Sequence, residues 1–152
     1  MLKEGDLAPE FELETYGGDT IKLSDLRGRR VVLYFYPKDD TSGCTKEACG
    51  FRDNAAVLEE KNAIVLGVSP DDIASHEKFR DKYELNFPLL SDPDHEVAEA
   101  YGAWGTKKMY GREYQGILRS TFVIGPDGRI EKAYPKVKPA EHADQVVSDL
   151  SA

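Results

Sequence analysis

Val31-Val32-Leu33-Tyr34-Phe35-Tyr36 runs straight into Pro37-Lys38-Asp39-Asp40-Thr41-Ser42-Gly43-Cys44-Thr45-Lys46-Glu47-Ala48-Cys49. The first six residues are apolar and rich in β-branched and aromatic side chains, which predicts a buried strand. The stretch from Glu47 to Glu60 reads as a helix, and Thr41 and Ser42 are residue types that cap one, their side-chain oxygens accepting from free N–H groups of the first turn. Cys44 then falls in or beside that first turn. Unsatisfied N–H groups and the positive end of the helix dipole favour an anion there. A thiolate is such an anion, and this placement lowers a cysteine pKa. The chain therefore sets a potentially reactive sulfur at the end of a strand and the mouth of a helix, with its second cysteine five residues on.

Outward from this stretch the same pattern repeats. Ala63 to Ser69 is a second apolar run without alternation, as expected of a strand covered on both faces. Ser69-Pro70-Asp71-Asp72 opens a helix carrying Ile73, His76, Phe79, Arg80 and Tyr83. Residues 86–92 give a short strand and a turn, and 95–101 a short helix stopped by Gly102. On the N-terminal side, Phe11/Leu13 and Ile21/Leu23 alternate about a turn at Tyr16-Gly17-Gly18-Asp19, predicting a hairpin, and residues 24–28 form one helical turn. Residues 103–118 show no clear period and are expected to form a long loop, a kind of segment that is often functional. Ser120–Ile124 and Arg129–Tyr134 flank Gly125-Pro126-Asp127-Gly128 as a second hairpin. Ala143, Val146, Val147 and Leu150 sit at helical spacing in a last helix over 139–150. This order predicts an α/β fold: a central mixed β-sheet flanked by helices, with an N-terminal β-hairpin, in a single domain over 1–152.

Composition narrows the function. The 152 residues carry a formal net charge of -8, which argues against a nucleic-acid footprint and against docking on anionic lipid. No apolar run approaches the ~18 residues of a membrane span, and the N-terminus lacks the pattern of a secretory signal. The expectation is a cytoplasmic protein without nucleic-acid or membrane partners. Two cysteines in a domain this size are no disulfide framework; in a reducing compartment such a pair serves catalysis or metal binding more often than structure.

The five-residue spacing has a geometric consequence. On a regular helix it separates the Cα atoms by roughly 8–9 Å, and a disulfide spans at most about 7 Å. The sulfurs cannot bond while the helix is intact. Gly50 weakens the turn that would open, costing about 1 kcal/mol relative to alanine. Spacing alone leaves open a second reading, two unrelated cysteines packed as small apolar residues.

The pattern Pro37-x3-Thr41-x2-Cys44 resembles the active-site motif of the peroxiredoxins, and Cys49 resembles the resolving cysteine of their bacterioferritin comigratory protein, or peroxiredoxin Q, branch. Arg119 is similar to the arginine that the family holds near its peroxidatic sulfur. Gly5-Asp6-x-Ala8-Pro9-x-Phe11 and Phe87-Pro88-Leu89-Leu90-Ser91-Asp92 also match family stretches. The resemblance implies a thioredoxin-like fold and a thiol peroxidase that needs no cofactor. Cys44 would attack the peroxide and become a sulfenic acid. Cys49 would resolve it as an intramolecular disulfide, and thioredoxin or a similar dithiol would reduce that disulfide. Arg119 would stabilise thiolate and developing negative charge. Thr41, Gly43 and Cys44 would offer hydrogen bonds to the substrate, and Pro37, lacking an N–H, would shield the sulfur. Hydrogen peroxide and organic hydroperoxides are both expected substrates, with no ranking between them. Nothing resembles the C-terminal cysteine extension of obligate two-cysteine dimers, so a monomer or weak dimer is expected.

Two rivals stand beside this reading. A disulfide oxidoreductase uses Cys-x2-Cys, which this chain lacks. A redox-gated binding or holdase module would open the same helix without peroxide turnover. Asp39 and Asp40 read as solvated loop carboxylates. His76, His95 and His142 are far apart in sequence and make no zinc spacing with the cysteines, so no metal site is expected. Trp104, Met109, Tyr110 and Tyr114 are residues that could rim a substrate pocket or cover core.

Overall fold

The computed structural model describes residues 1–151. Strands β1 (Glu12–Glu14) and β2 (Thr20–Lys22) form the expected N-terminal hairpin, with Leu13 opposite Ile21. Then β3 (Arg30–Phe35), α1 (Ser42–Glu60), β4 (Ala63–Ser69), α2 (Ile73–Tyr83), β5 (Leu89–Ser91) and α3 (Glu96–Tyr101) alternate along the chain. A separate hairpin, β6 (Trp104–Met109) and β7 (Arg112–Ile117), precedes β8 (Ser120–Ile124), β9 (Ile130–Tyr134) and α4 (His142–Ser151). The main sheet has the order β2-β1-β5-β4-β3-β8-β9. Its centre, β3 with β4 and β4 with β5, is parallel; β8 joins β3 antiparallel.

Both faces of β3 are buried, which is why its sequence does not alternate. Val32, Tyr34 and Tyr36 point to the face covered by α1, α2 and α4, where they meet Ala48, Phe51, Phe79, Ala143 and Val146. Val31, Leu33 and Phe35 point to the other face and pack with Phe11, Leu23, Tyr101 and Phe122, under α3 and the N-terminal segment. The mixed sheet flanked by helices is thus the architecture that strand order and hydrophobic pattern predict. Among the described residues no helix is long and apolar enough to cross a membrane.

The expected long loop over 103–118 is instead the hairpin β6–β7, with Trp104 opposite Ile117 and Met109 opposite Arg112. It pairs with no strand of the main sheet among the described residues and is mostly solvent-exposed along both strands. With neither face committed to the core, its sequence carries no inside–outside alternation to read. The available signal was the turn: Tyr110 and Gly111 both have positive φ, 52° and 76°, the backbone of a two-residue hairpin turn.

Candidate functional site

The end of β3, the start of α1 and the start of β8 converge. Phe35 is opposite Ser120 in the antiparallel register, so Arg119 enters beside the point where the chain leaves β3. Cys44 is the third residue of α1, inside the first turn. Its sulfur is buried, and Arg119 Nη2 donates to it at 3.2 Å. Helix position and a permanent cation therefore act on one sulfur, both favouring its anion. Burial works against the Arg119 charge, and Cys44 and Glu47 outweigh it, holding the guanidinium above its ordinary pKa.

The other hand of Arg119 is held by Glu47: Nη1 donates to Oε1 at 2.7 Å. Glu47 lies on the Cys44 face of α1 and is fully buried. Burial pushes its carboxyl up to about 7, although the adjacent Arg119 pulls it down. Its second oxygen, Oε2, and the nearby Tyr34 hydroxyl are buried without hydrogen-bond partners among the described residues. Sequence reasoning missed Glu47. Its signal was a carboxylate at a core position of α1, in step with Cys44, Ala48 and Phe51.

Gly43 keeps room for the guanidinium. A Cβ there would stand 3.3 Å from Arg119 Nη2 and 3.4 Å from Pro139 Cγ, so Pro139 also walls this site. Lys107 of β6 feels the same surroundings: burial and Arg119 lower its pKa, and Cys44 raises it. Pro37 is half-buried in the loop before α1. Thr41 is the residue preceding α1, but its side chain makes no cap; its Oγ1 donates instead to the Lys38 carbonyl at 2.9 Å. That leaves the hydroxyl's lone pairs to accept. The first-turn N–H groups thereby keep their freedom for an anion.

Cys49 is on the same helix, half-exposed, and both thiols are free among the described residues. The two cysteines thus occupy one continuous α1, as the spacing argument requires. Gly50 has a second role beyond weakening that helix. A Cβ on it would meet Ala143 Cβ of α4 at 3.1 Å, so glycine permits a close approach of the two helices.

Other expectations change. Asp39 is no solvated carboxylate: it is buried and accepts from Tyr36, Ser75 and His76, while Asp40 is exposed and bound to Lys82 and Tyr83. Asp39, Asp71 and His76 bring possible metal-ligand atoms within 4.8 Å of one another. Those atoms are already committed to hydrogen bonds within the protein. Trp104 stacks on His95 with ring centroids 3.6 Å apart. Met109, Tyr110 and Tyr114 are exposed, outside both hydrophobic clusters.

Comparisons with known proteins point to one family. The AhpC/TSA family matches residues 5–133. Peroxiredoxin Bcp of Bacillus subtilis (strain 168) is 49% identical over 149 residues, covering 98% of this chain and 95% of the relative. The structure of a cysteine-to-serine mutant of Xylella fastidiosa PrxQ superposes with TM-score 0.93 at 39% identity, covering 99% of this chain and 96% of that one. A Xanthomonas campestris bacterioferritin comigratory protein, whose trapped intermediate and ligand complexes bear on alkyl peroxide reduction, superposes with TM-score 0.88 at 40% identity, covering 93% and 90%. A buried cysteine at a helix mouth under an arginine, in a thioredoxin-like sheet and with full-length relatives of this kind, makes the chain a member of the AhpC/TSA family, a thiol peroxidase of the Bcp/peroxiredoxin Q branch.

Proposed function

We propose that Cys44 is the peroxidatic and Cys49 the resolving cysteine of an atypical two-cysteine cycle. The observation that carries this is the Arg119 Nη2–Cys44 Sγ contact at 3.2 Å on a sulfur in the first turn of α1. The Cys44 thiolate attacks one peroxide oxygen. An S–O bond forms, the O–O bond breaks, and the departing oxyanion takes a proton to leave as water or an alcohol. Arg119 stabilises the charge that spreads over both oxygens. Thr41 accepts from the peroxide, the Gly43 and Cys44 backbone offers N–H groups, and Pro37 keeps water from the sulfur without competing as a donor. The products are Cys44 sulfenic acid and one reduced substrate.

The Cys49 thiolate then attacks the Cys44 sulfur, forming the disulfide and releasing water. Intact α1 holds the sulfurs too far apart for this step, so residues between them leave helical geometry first. A thioredoxin-type dithiol supplies the two electrons that reduce the disulfide by exchange. Hydrogen peroxide and organic hydroperoxides are both accepted. The chain works as one domain, as a monomer or weak dimer in the cytoplasm; the absence of a basic footprint, with a net charge of -8, supports a protein free of nucleic acid.

Mass spectrometry after one equivalent of peroxide tests the cycle. The expected product is a Cys44–Cys49 disulfide, and addition of thioredoxin, its reductase and NADPH restores turnover. A stable modification confined to Cys49 would overturn the assignment.

A further inference from the structure

The loop over 37–41 carries Pro37 and Thr41 to the site, yet no sheet ladder or helix holds it. Asp40 within it has a φ of 55°, a left-handed conformation that costs a non-glycine residue energy. Exposed Asp40 ties it to Lys82 and Tyr83 of α2, and its buried anchor is the carboxylate of Asp39. Its Oδ1 accepts from Tyr36 Oη at 2.5 Å, its Oδ2 accepts from Ser75 Oγ at 2.8 Å, and His76 Nδ1 lies 2.6 Å from Oδ2. The Asp39 N–H donates to Asp71 Oδ2 at 2.8 Å.

His76 reaches further. Its Nε2 faces the Leu90 carbonyl at 2.9 Å, an acceptor only, so Nε2 carries a proton. Its Nδ1 faces a carboxylate oxygen, so a proton also lies between Nδ1 and Asp39. His76 is fully buried and Asp39 is 7% exposed. A hydrogen bond in such surroundings is stronger than one in water. One pair therefore rivets the end of β3, the loop, the first turn of α2 and strand β5. The peroxidase steps derived above use neither residue.

We propose that Asp39 and His76 are positioning residues for peroxide reduction, fixing the 37–41 loop so that Thr41, Pro37 and the first turn of α1 hold the Cys44 sulfur for attack. The proposal rests on Cys44 being the reactive sulfur. The pair acts on it only through the loop. It also sets the upstream limit of the segment that opens for the disulfide, because residues beyond Asp39 toward β3 stay anchored while α1 unwinds.

The test uses the full chain with Asp39→Asn, His76→Phe and the double variant. Three quantities are read: the single-turnover rate of Cys44 oxidation by hydrogen peroxide, the pH profile of Cys44 alkylation, and thermal unfolding. Rates are taken well below each variant's melting transition. Each single variant is expected to slow Cys44 oxidation about 10- to 100-fold, the scale of a reacting group displaced by an ångström. The alkylation profile moves to higher pH, and the double variant loses no more than the worse single one. Folded variants that oxidise Cys44 within about threefold of wild type, or losses that multiply, would overturn the proposal. Where a variant does not fold, Ser75→Ala decides: it removes one donor to the Asp39 carboxylate and keeps the His76 contact, so slower Cys44 oxidation in that folded variant supports the proposal and an unchanged rate sinks it. Wild-type protein whose peroxide-oxidised sulfur is not Cys44 would mark failure of the underlying site instead.

Discussion

Two turns of one helix treat their cysteines in opposite ways. In the first turn of α1, Cys44 is buried and lies under Arg119, which Glu47 holds from the other side. One turn later Cys49 is half-exposed, with Arg52 as its charged neighbour. The first sulfur is tuned where it stands. The second has no such surroundings, and the proposed cycle delivers it by a change of backbone. Pre-organisation and mobility are thus divided along fewer than ten residues. The boundary between them runs through Glu47, whose carboxylate belongs to the first turn's electrostatics and whose backbone lies between the two cysteines, in the segment that the proposed cycle opens.

The sharpest way to break the comparison is to remove each sulfur. Cys44→Ser is expected to abolish peroxide reduction with the fold retained. Cys49→Ser is expected to keep one stoichiometric oxidation and to accumulate Cys44 sulfenic acid, trapped and counted by a sulfenate reagent. Turnover in Cys44→Ser would erase the distinction between the turns. Next in size is Arg119→Met. Loss of one preorganised donor costs about 100- to 1000-fold in rate, and loss of the cation withdraws the charge that favours the thiolate. Thr41→Val is expected to slow oxidation less and to leave the alkylation profile nearly in place, because it removes a hydrogen bond and no charge. Stopped-flow oxidation beside alkylation as a function of pH reads both.

Mobility is tested by hydrogen exchange over residues 44–54. Protection is expected in the reduced protein and lost in the disulfide form, since the helix cannot reform across the bond. Gly50→Ala refines this. Helix propensity alone predicts about 1 kcal/mol of stabilisation and slower disulfide formation. The 3.1 Å approach of Ala143 Cβ opposes it, because α4 must shift to admit the methyl. We expect Gly50→Ala alone to change the disulfide rate little, and Gly50→Ala with Ala143→Gly to slow it several-fold, about the factor that ~1 kcal/mol provides. Equal rates in the two variants would show that Ala143 does not oppose the methyl.

The smallest effect is on stability against pH. Glu47 has a folded-state pKa of about 7, above its ordinary 4.5, mainly through burial. A carboxyl shifted upward contributes stability that is present below pH 4.5 and is lost as pH rises through 7. The stability of wild type relative to Glu47→Gln is therefore expected to fall over that window, read as a difference between two melting curves. A difference that instead grew with pH would show Glu47 ionised and net stabilised by Arg119.

Much of this was legible in the residues. Apolar runs at 31–36 and 63–69 name the sheet centre because only a strand covered on both faces can be apolar throughout. The Cys44–Cys49 spacing names the conformational problem because helical rise and the reach of a disulfide are both constants of the backbone. Glu47, one turn from Cys44 and on its buried face, carried a signal of its own: a charge at a core position of an amphipathic helix.

Other features were decided only in three dimensions. The hairpin over 104–117 stands clear of the core, so no burial pattern marked it. Arg119 stood in the sequence 75 residues from Cys44, and family resemblance pointed to it; the distance and its sharing with Glu47 come from the β3–β8 register. Asp39 looked like one of two loop acids, yet it is buried and Asp40 is not. Their neighbours in sequence are nearly the same, and the difference arises from where α2 lies. His76 brings a donor to Asp39 from 37 residues away. Local sequence sets what each segment prefers to be, because propensity and periodicity act over a few residues. Which polar groups lose their water, and which partners they find in exchange, is settled by packing between distant segments, and that exchange gives Cys44, Glu47 and Asp39 their properties.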